Sequence, residues 1–225
     1  MTAPPSPPSP PPRVARTMPW TRVSFAALDF EATGLDMARD TIVSFGVVPI
    51  VDGRIDVGDS SYELVDPQDV PPSPGSIGIH MLRPMDLAGA LTLDQARERL
   101  RSALDGRFLV TWYAGVETAF LDKLYGGGSR RWLRRSVDVR KLVLALDRLE
   151  GEQGDTGTGT LADAATRFGV PVASPHHALD DALVTAQLFL VTATRLAGHG
   201  HATVRRLLAE TRRKSPLLPR SRAPS

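Results

Sequence analysis

The 225-residue chain contains no cysteine. Disulfide bonds, metal sites built from thiolates and catalysis by a cysteine nucleophile are therefore excluded, and the composition fits a reducing compartment. No apolar run approaches the roughly 18 residues that a membrane-spanning helix needs. The N-terminus also lacks the charged-then-apolar pattern of a secretion signal. We therefore expect a cytoplasmic protein that makes no contact with a membrane.

A strong net charge is missing as well, because 27 basic and 25 acidic side chains leave a formal charge of only +2. The sequence pI of about 9.3 favours an anionic partner only weakly. The hydrophobic fraction of 42% and the charged fraction of 23% are ordinary for a globular protein. A chain of this length suits one domain with tails.

Proline dominates the first twelve residues, which therefore cannot build a helix or a sheet ladder. We expect residues 1–19 to be a disordered or polyproline arm, with the fold beginning near Trp20. The main domain is expected to span residues 20–199. Residues 200–225 are expected to hold a C-terminal helix and a basic, Pro-rich, disordered tail.

The apolar periodicity predicts a mixed α/β fold with helices on the faces of one sheet. An antiparallel meander of three strands comes first, and Asp52-Gly53 is the hairpin signal between the second and third strands. Residues 137–149 are either a strand followed by a helix or one helix. Four glycines indicate a flexible loop over residues 151–159. The meander strands are predicted at 25–28, 40–51 and 54–65, and a fourth strand is predicted at 108–113. The predicted helices lie within 77–87 and at 92–104, 116–125, 160–168, 178–196 and 202–213.

Asp29 and Glu31 come at the end of the first apolar strand and are two residues apart, so both side chains point to the same face. Two carboxylates held together beside apolar neighbours are costly unless a cation neutralises them. Oxygen ligands suit a hard divalent ion such as Mg²⁺ or Mn²⁺. Thr33-Gly34 supplies a turn where the backbone can approach a ligand. The alternative is an edge strand with two solvated acids.

Two further acidic stretches lie at the starts of predicted helices. His176 and Asp181 are five residues apart and can converge only if the histidine lies in the lead-in and the aspartate in the first turns. Ser174 and Pro175 look like the start of that helix. Glu117 lies early on the helix after the fourth strand. The alternative for these acids is a simple favourable interaction with the helix dipole.

Together the three stretches resemble the DEDDh exonucleases, the superfamily of the proofreading epsilon subunit of bacterial replicative polymerases. Asp29-Phe-Glu-Ala-Thr-Gly-Leu35 resembles the first motif of that family, and His176-His-Ala-Leu-Asp-Asp181 resembles the third, with Ala178 deciding the register. Ile79-His80-Met-Leu resembles its Ile-His-Gly-Ile segment. The resemblance runs from about residue 24 to residue 196 and implies a ribonuclease H-like fold, with antiparallel strands followed by parallel ones.

The second motif departs from the family pattern, which is usually His-Asn-x-x-Phe-Asp-x-x-Phe-Leu. Here the segment reads Trp112-Tyr-Ala-Gly-Val-Glu-Thr-Ala-Phe-Leu121, so Glu117 stands at the position of the usual aspartate. Trp112 and Tyr113 replace the His-Asn pair. These aromatic rings could stack on a nucleobase or pack in the core.

The resemblance implies a 3′→5′ exonuclease that uses two divalent metal ions, Mg²⁺ or Mn²⁺, and releases nucleoside 5′-monophosphates. By position, Asp29 would bridge both ions, Glu31 and Asp181 would complete one site, and Glu117 would hold the second ion. His176 would be the general base for the attacking water. The backbone of Thr33, Gly34 and Leu35 would meet the terminal nucleotide. All of these roles are implied by the resemblance alone.

The implied partner is the 3′ end of single-stranded DNA or RNA, and the sequence does not distinguish the two. A polymerase partner fits the resemblance, although no residue supports one. The alternative function is a weak or inactive exonuclease-fold module that binds nucleic acid, and a recruitment role of the Pro-rich arm is a third. The arginines clustered at 130–135 and 205–213 could contact phosphates or be a solvated surface.

Overall fold

The computed structural model of the chain describes residues 6–151 and 159–213. The predictions for residues 1–5, for most of the 151–159 loop and for the tail after residue 213 lie outside these ranges. Within the described ranges the strands are β1 Phe25–Ala32, β2 Ile42–Val51, β3 Arg54–Ile55, β4 Ser61–Leu64, β5 Phe108–Thr111 and β6 Ser136–Asp138. The α-helices are α1 Pro74–His80, α2 Leu93–Leu104, α3 Ala114–Tyr125, α4 Ser129–Leu133, α5 Val139–Glu150, α6 Leu161–Phe168, α7 Ala178–Gly198 and α8 Val204–Arg212.

One mixed sheet has the strand order β3-β2-β1-β5-β6, and β4 also pairs with β2. β1, β2, β3 and β4 pair antiparallel, whereas β5 runs parallel to β1, and β6 runs parallel to β5. The predicted mixed sheet and its antiparallel meander are therefore confirmed. Positive φ angles at Asp52 and Gly53 (48° and 70°) confirm the hairpin turn.

The prediction of one continuous third strand over residues 54–65 is wrong. A 3₁₀ turn at Val57–Asp59 divides it into β3 and β4. The Asp56 side chain accepts a hydrogen bond from the Asp59 N–H at 3.3 Å and so caps this turn. Such a local bond competes with the ladder for the backbone, and the strand is interrupted there.

Helices cover both faces of the sheet. Strand residues such as Phe25, Ala27 and Phe108 lie in one buried cluster with side chains of α5 to α8. The alternate residues, such as Ala26, Leu28 and Leu109, lie in a second buried cluster with α2, α3 and α4. This alternation follows from the two-residue period of a strand. The face that carries Phe25 and Ala27 is therefore also the face of Asp29 and Glu31.

Most helix predictions agree with the structure. The capping box of Thr92 and Gln95 begins α2, and residues 137–149 form a strand followed by a helix. The helix predicted within 77–87 instead begins at Pro74, capped by Ser73, and ends where Met81 adopts a left-handed conformation with φ 63°. Residues Pro84–Leu87 form a separate 3₁₀ turn. The short helix α4 was not predicted.

Residues 6–19, the described part of the expected disordered or polyproline arm, pack on the domain. Proline has no N–H group, but the carbonyl oxygens of this segment remain acceptors. The Arg135 guanidinium donates to the Ser9 carbonyl at 3.0 Å, and the Gly106 N–H donates to the same oxygen at 3.0 Å. Ala15 is buried in the core cluster that also contains Val204 of α8. Both chain ends of the described part therefore contribute to one core.

Within the described ranges, no helix is long and apolar enough to cross a membrane.

Candidate active site

The two acids of β1 lie where the strand leaves its regular pairing. Asp29 faces Gly46 of β2, and Glu31 faces Ser44. The register then shifts between Glu31 and Ala32, as in a β-bulge. Bulges are frequent beside active sites because they change the direction of the side chains that follow. Both carboxylates are thus presented at the end of β1, on the face that α7 covers.

A glycine allows α7 to approach this pair of acids. A Cβ atom at Gly46 would lie 2.3 Å from the carbonyl oxygen of Ala178 and 2.4 Å from the Cα of Leu179. The first turn of α7 therefore rests directly on the backbone of β2, opposite Asp29. We did not predict a role for Gly46, although a single glycine inside a β-branched strand is itself a signal of close backbone approach.

This contact brings Asp181 to the β1 acids. One carboxylate oxygen from each of Asp29, Glu31 and Asp181 lies within 4.8 Å of the others. His176 lies in the lead-in to the helix with φ 62°, and its N–H donates to Asp181 Oδ2 at 3.0 Å. The helix begins at Ala178 with His177 at its N-cap, in agreement with the predicted range 178–196, so the start signal at Ser174-Pro175 precedes the helix by several residues. The condition for their convergence is met, because His176 lies in the lead-in and Asp181 in the first turn of α7, and His176 is exposed.

Burial dominates the electrostatics of this cluster. It raises the pKa of Asp29 well above its ordinary value, and the charges of Glu117, Glu31 and Asp181 raise it further. Burial, followed by the Asp181 charge, raises the pKa of Glu31 to about 8. The pKa of Asp181 is raised mainly by burial, against the lowering effect of the His176 backbone hydrogen bond. The fold therefore disfavours ionising these acids together unless a cation is present.

Glu117 lies in the first turn of α3 and is only 6% exposed. It is not one of the three mutually close carboxylates, but its charge is the largest electrostatic influence on the pKa of Asp29. Its own pKa is raised to about 8, mainly by burial. Its Oε2 atom is buried without a hydrogen-bond partner among the described residues. An unpaired buried carboxylate oxygen beside other acids fits a metal ligand.

Asp138 positions the helix that carries Glu117. It is 2% exposed, and its Oδ2 accepts the Ala114 N–H of α3 at 3.2 Å. Its Oδ1 accepts the Lys141 N–H at 3.0 Å, so the same carboxylate caps α5. No role was predicted for Asp138, although an aspartate between an apolar strand and a helix is a recognisable N-cap signal.

A groove of about 360 Å³ adjoins Glu31, with Gly34, Leu35 and His80 in its wall. The Leu35 side chain is 71% exposed. The Leu82 N–H donates to His80 Nδ1 at 3.0 Å, which leaves the proton on Nε2, 3.2 Å from the Ala32 carbonyl. This bond holds α1 against the end of β1.

Thr33 has a structural role in the turn beside the groove. It is 1% exposed, and its hydroxyl donates to Asp40 Oδ1 at 2.9 Å. Its backbone N–H donates to the Thr41 carbonyl, and its carbonyl accepts the Ser73 N–H. A Cβ at Gly34 would lie 2.3 Å from Asp40 Oδ2. Of the three predicted substrate contacts, Gly34 and Leu35 line the groove, whereas the Thr33 backbone groups already have partners.

The two aromatic residues that replace His-Asn have different environments. Trp112 is half-buried and packs against the core cluster that contains Phe25. Tyr113 is 46% exposed, and the Arg140 guanidinium lies 5.2 Å from its ring centroid. Core packing therefore accounts for Trp112. Stacking on a nucleobase remains an interpretation for Tyr113 alone.

The donor set fits a hard divalent cation. All the ligand candidates are carboxylate oxygens, which Mg²⁺ and Mn²⁺ prefer. Asp29, Glu31 and Glu117 form no salt bridge with a basic side chain in the described parts of the chain. A divalent cation would supply the compensating charge.

A mixed sheet with acids at the end of its central strand, covered by helices on both faces, defines a ribonuclease H-like nuclease fold. The model of the RNase_T family, which is described as "Exonuclease", matches residues 26–189. The chain therefore belongs to this exonuclease family, and the DEDDh resemblance of its motifs is confirmed. An exonuclease of this type implies dependence on a divalent metal, and the acidic cluster is present.

Individual relatives agree with this assignment. A "DNA polymerase III subunit epsilon-like protein" of Rhodobacter capsulatus is 28% identical over 204 residues, which are 89% of this chain and 28% of that protein. The chain thus spans little more than a quarter of that relative. E. coli Exonuclease I in complex with a dT13 oligonucleotide has a TM-score of 0.69 at 17% identity, covering 84% of this chain and 46% of that one. The nuclease domain of 3′hExo, a DEDDh family member bound to rAMP, has a TM-score of 0.65 at 17% identity, covering 83% and 97%.

Proposed function

We propose that the protein is a metal-dependent 3′→5′ exonuclease that hydrolyses the terminal phosphodiester of DNA or RNA and releases nucleoside 5′-monophosphates. The observation that carries the proposal is the meeting of Asp29, Glu31 and Asp181 within 4.8 Å, beside the buried Glu117, whose Oε2 has no hydrogen-bond partner among the described residues. These residues come from three separate elements, and within the described residues no basic side chain forms a salt bridge with Asp29, Glu31 or Glu117.

In this proposal Asp29, Glu31 and Asp181 hold one divalent ion, and Asp29 with Glu117 holds a second. Such ions, when bound, stabilise the negative charge that develops on the attacking and leaving oxygens. The protein binds the terminal nucleotide along the groove beside Gly34 and Leu35. This placement puts the terminal phosphate next to the carboxylates at the end of β1.

His176 is proposed as the general base. Its side chain is exposed, and its backbone is tied to Asp181, so the imidazole can reach solvent at the edge of the acidic cluster. A water oxygen forms a bond to the terminal phosphorus, and its proton passes to the imidazole. The bond from that phosphorus to the 3′ oxygen of the preceding nucleotide breaks, and the oxygen takes a proton from solvent. The products are a 5′-monophosphate and a strand shortened by one residue.

The test uses oligonucleotides labelled at the 5′ end, as single-stranded DNA, duplex DNA and RNA, with Mg²⁺, with Mn²⁺ and with chelator. Digestion from the 3′ end gives a ladder of labelled products, whereas digestion from the 5′ end releases the label at once. We expect a ladder that depends on metal and a 5′-monophosphate product on chromatography. Asp29→Ala should abolish it, while Asp69→Ala, at an exposed acid that belongs neither to the carboxylate cluster nor to the groove wall, should not. Equal rates for Asp29→Ala and wild type would refute the assignment.

The second candidate is a catalytically weak or inactive module that binds nucleic acid. Two observations favour it, because Glu117 lies outside the group of three close carboxylates and Trp112-Tyr113 replaces the usual His-Asn pair. This candidate predicts salt-sensitive binding without turnover when Mg²⁺ is present. Glu117→Asp separates the two cases: a large gain in rate would mean that the natural glutamate compromises the enzyme, and a loss would mean that the longer side chain is matched to this site.

A further inference from the structure

A second charged cavity lies at the opposite end of the sheet from the carboxylates. β1, β5 and β6 are parallel, and the acids lie at the carboxyl end of β1, whereas Arg135 immediately precedes β6. The cavity has a volume of about 490 Å³. We call it the arginine pocket, and its basic lining residues are Arg13, Arg16, Arg131, Arg134 and Arg135.

The positive charge in the arginine pocket is largely uncompensated. Within the described residues, neither Arg13 nor Arg134 has a side-chain hydrogen bond or an ion pair, and no carboxylate lines the cavity. The pKa of Arg16 is lowered by burial and then by the neighbouring positive charges, including those of Arg134 and Arg13. The charge of Asp105 raises the pKa of Arg135, against the larger lowering effect of burial, and the Oδ1 atom of Asp105 already accepts a hydrogen bond from the Ser9 N–H.

The walls of the arginine pocket are held in place by hydrogen bonds. Arg135 is only 4% exposed, and its guanidinium donates to the carbonyls of Ser9 at 3.0 Å and Leu104 at 3.2 Å. Its Nε atom is buried without a partner among the described residues. Arg16 donates to the Arg134 carbonyl at 2.9 Å, which joins the N-terminal segment to the end of α4. The pocket is therefore built from two distant segments rather than from one charged helix face.

We propose that the arginine pocket binds the backbone phosphates of a nucleic-acid strand, at a site separate from the carboxylate cluster. Five guanidinium groups exceed the charge of a single phosphate, so the ligand must carry several negative charges, as a phosphodiester chain does. Guanidinium groups also match phosphate oxygens with paired N–H donors. The identity of the ligand as nucleic acid rests on the proposed function, but its binding here does not require catalysis.

The test measures binding of a labelled single-stranded oligonucleotide by fluorescence anisotropy, with the full chain in chelator so that no metal supports hydrolysis. The double variant Arg13→Ala/Arg134→Ala removes two pocket charges without breaking a side-chain hydrogen bond or an ion pair within the described residues. Arg54→Ala/Arg99→Ala is the matched control, because it removes two exposed charges that do not line the pocket, and Arg54 lies on β3, at the opposite edge of the sheet from β6. Both are checked by thermal unfolding, and Arg134→Lys alone, which keeps the charge, should bind like wild type.

Each arginine that neutralises a phosphate of a single strand contributes about 0.7 to the slope of log K against log salt, so the pocket variant should have a slope smaller by about 1.4. At about 0.1 M salt its affinity should fall by about tenfold or more, and the affinity of the control by much less, because charges farther from the strand than the Debye length of about 10 Å are screened.

Equal decreases in affinity for the two double variants would overturn the proposal. A second, calorimetric outcome would also overturn it. In that outcome inorganic pyrophosphate binds the wild-type protein but not Arg13→Ala/Arg134→Ala, while the two proteins bind the oligonucleotide equally well. The pocket would then hold a small anion rather than a nucleic-acid strand. Failure of the nuclease assay would leave these binding results unaffected, so the two proposals are tested independently.

Discussion

The contact between β2 and α7 makes Gly46→Ala the most informative single substitution. The added Cβ would lie 2.3 Å from the Ala178 carbonyl oxygen and 2.4 Å from the Leu179 Cα, whereas ordinary contact begins at 3.4 Å. These neighbours are backbone atoms and cannot rotate away. The start of α7 must therefore retreat from β2 by about 1 Å, because packed interiors do not absorb such an overlap.

This displacement acts on the carboxylate cluster, because Asp181 lies in the first turns of α7. We expect the rate of exonuclease turnover to fall about 100-fold, as is typical when a catalytic group is misplaced by about 1 Å. Overpacking should also cost about 1–3 kcal/mol of unfolding free energy. For a chain of this size, each kcal/mol lowers Tm by about 2–4 °C.

The assay compares Gly46→Ala with Gly198→Ala, at the last residue of the same helix, where a Cβ would meet nothing within 4 Å. Turnover, Tm and Mn²⁺ affinity by calorimetry are measured for both variants. The control should resemble wild type in all three, while Gly46→Ala should lose turnover and Mn²⁺ affinity and still fold. A Gly46→Ala protein with the stability, Mn²⁺ affinity and rate of the control would refute the placement of α7 on β2.

Two further predictions concern the acids and the exposed ring. In chelator, Tm should fall as the pH rises from about 5 to above 8. The reason is that the folded state raises the pKa of Glu31 and Glu117 to about 8 and so binds protons that the unfolded chain has released. Added Mn²⁺ should restore Tm at high pH, and a flat or rising profile without metal would contradict this prediction. If Tyr113 stacks on a nucleobase, Tyr113→Ala should raise KM at least fivefold with little change in kcat, since a stacked base contributes about 1–3 kcal/mol. Tyr113→Phe keeps the ring and should retain the wild-type KM. An unchanged KM for Tyr113→Ala would exclude the stack.

Local patterns were sufficient to predict most of the strands and helices in their order and the side-by-side placement of Asp29 and Glu31. The alternation of β1 placed Asp29 and Glu31 on one face, and the five-residue spacing required His176 to precede the helix that carries Asp181. The structure has both arrangements. Periodicity and capping act over a few residues, so a single sequence contains the information for them.

Contacts between distant segments were not predictable in this way. The packing of residues 6–19 depends on Arg135, more than a hundred residues away, which captures the Ser9 carbonyl. The role of Asp138 depends on the position of α3 beside β6. Gly46 had a local signal, but its meaning required knowing that α7 crosses β2 at that point. In each case the sequence shows a residue that can make the contact and does not show its partner.

The burial of Glu117 favours a metal site over the simpler interpretation of helix-start acids. Glu117 and Asp181 do lie in the first turns of α3 and α7, where the helix dipole favours a carboxylate by about 0.3–1 kcal/mol. Burial acts in the opposite direction and more strongly, since raising the pKa of Glu117 from its ordinary 4.5 to about 8 corresponds to roughly 5 kcal/mol at most. A helix start alone would leave these acids ionised at the surface. The burial of Glu117 and the partial burial of Asp181 beside Asp29 oppose ionisation, and a bound divalent cation would reverse that opposition.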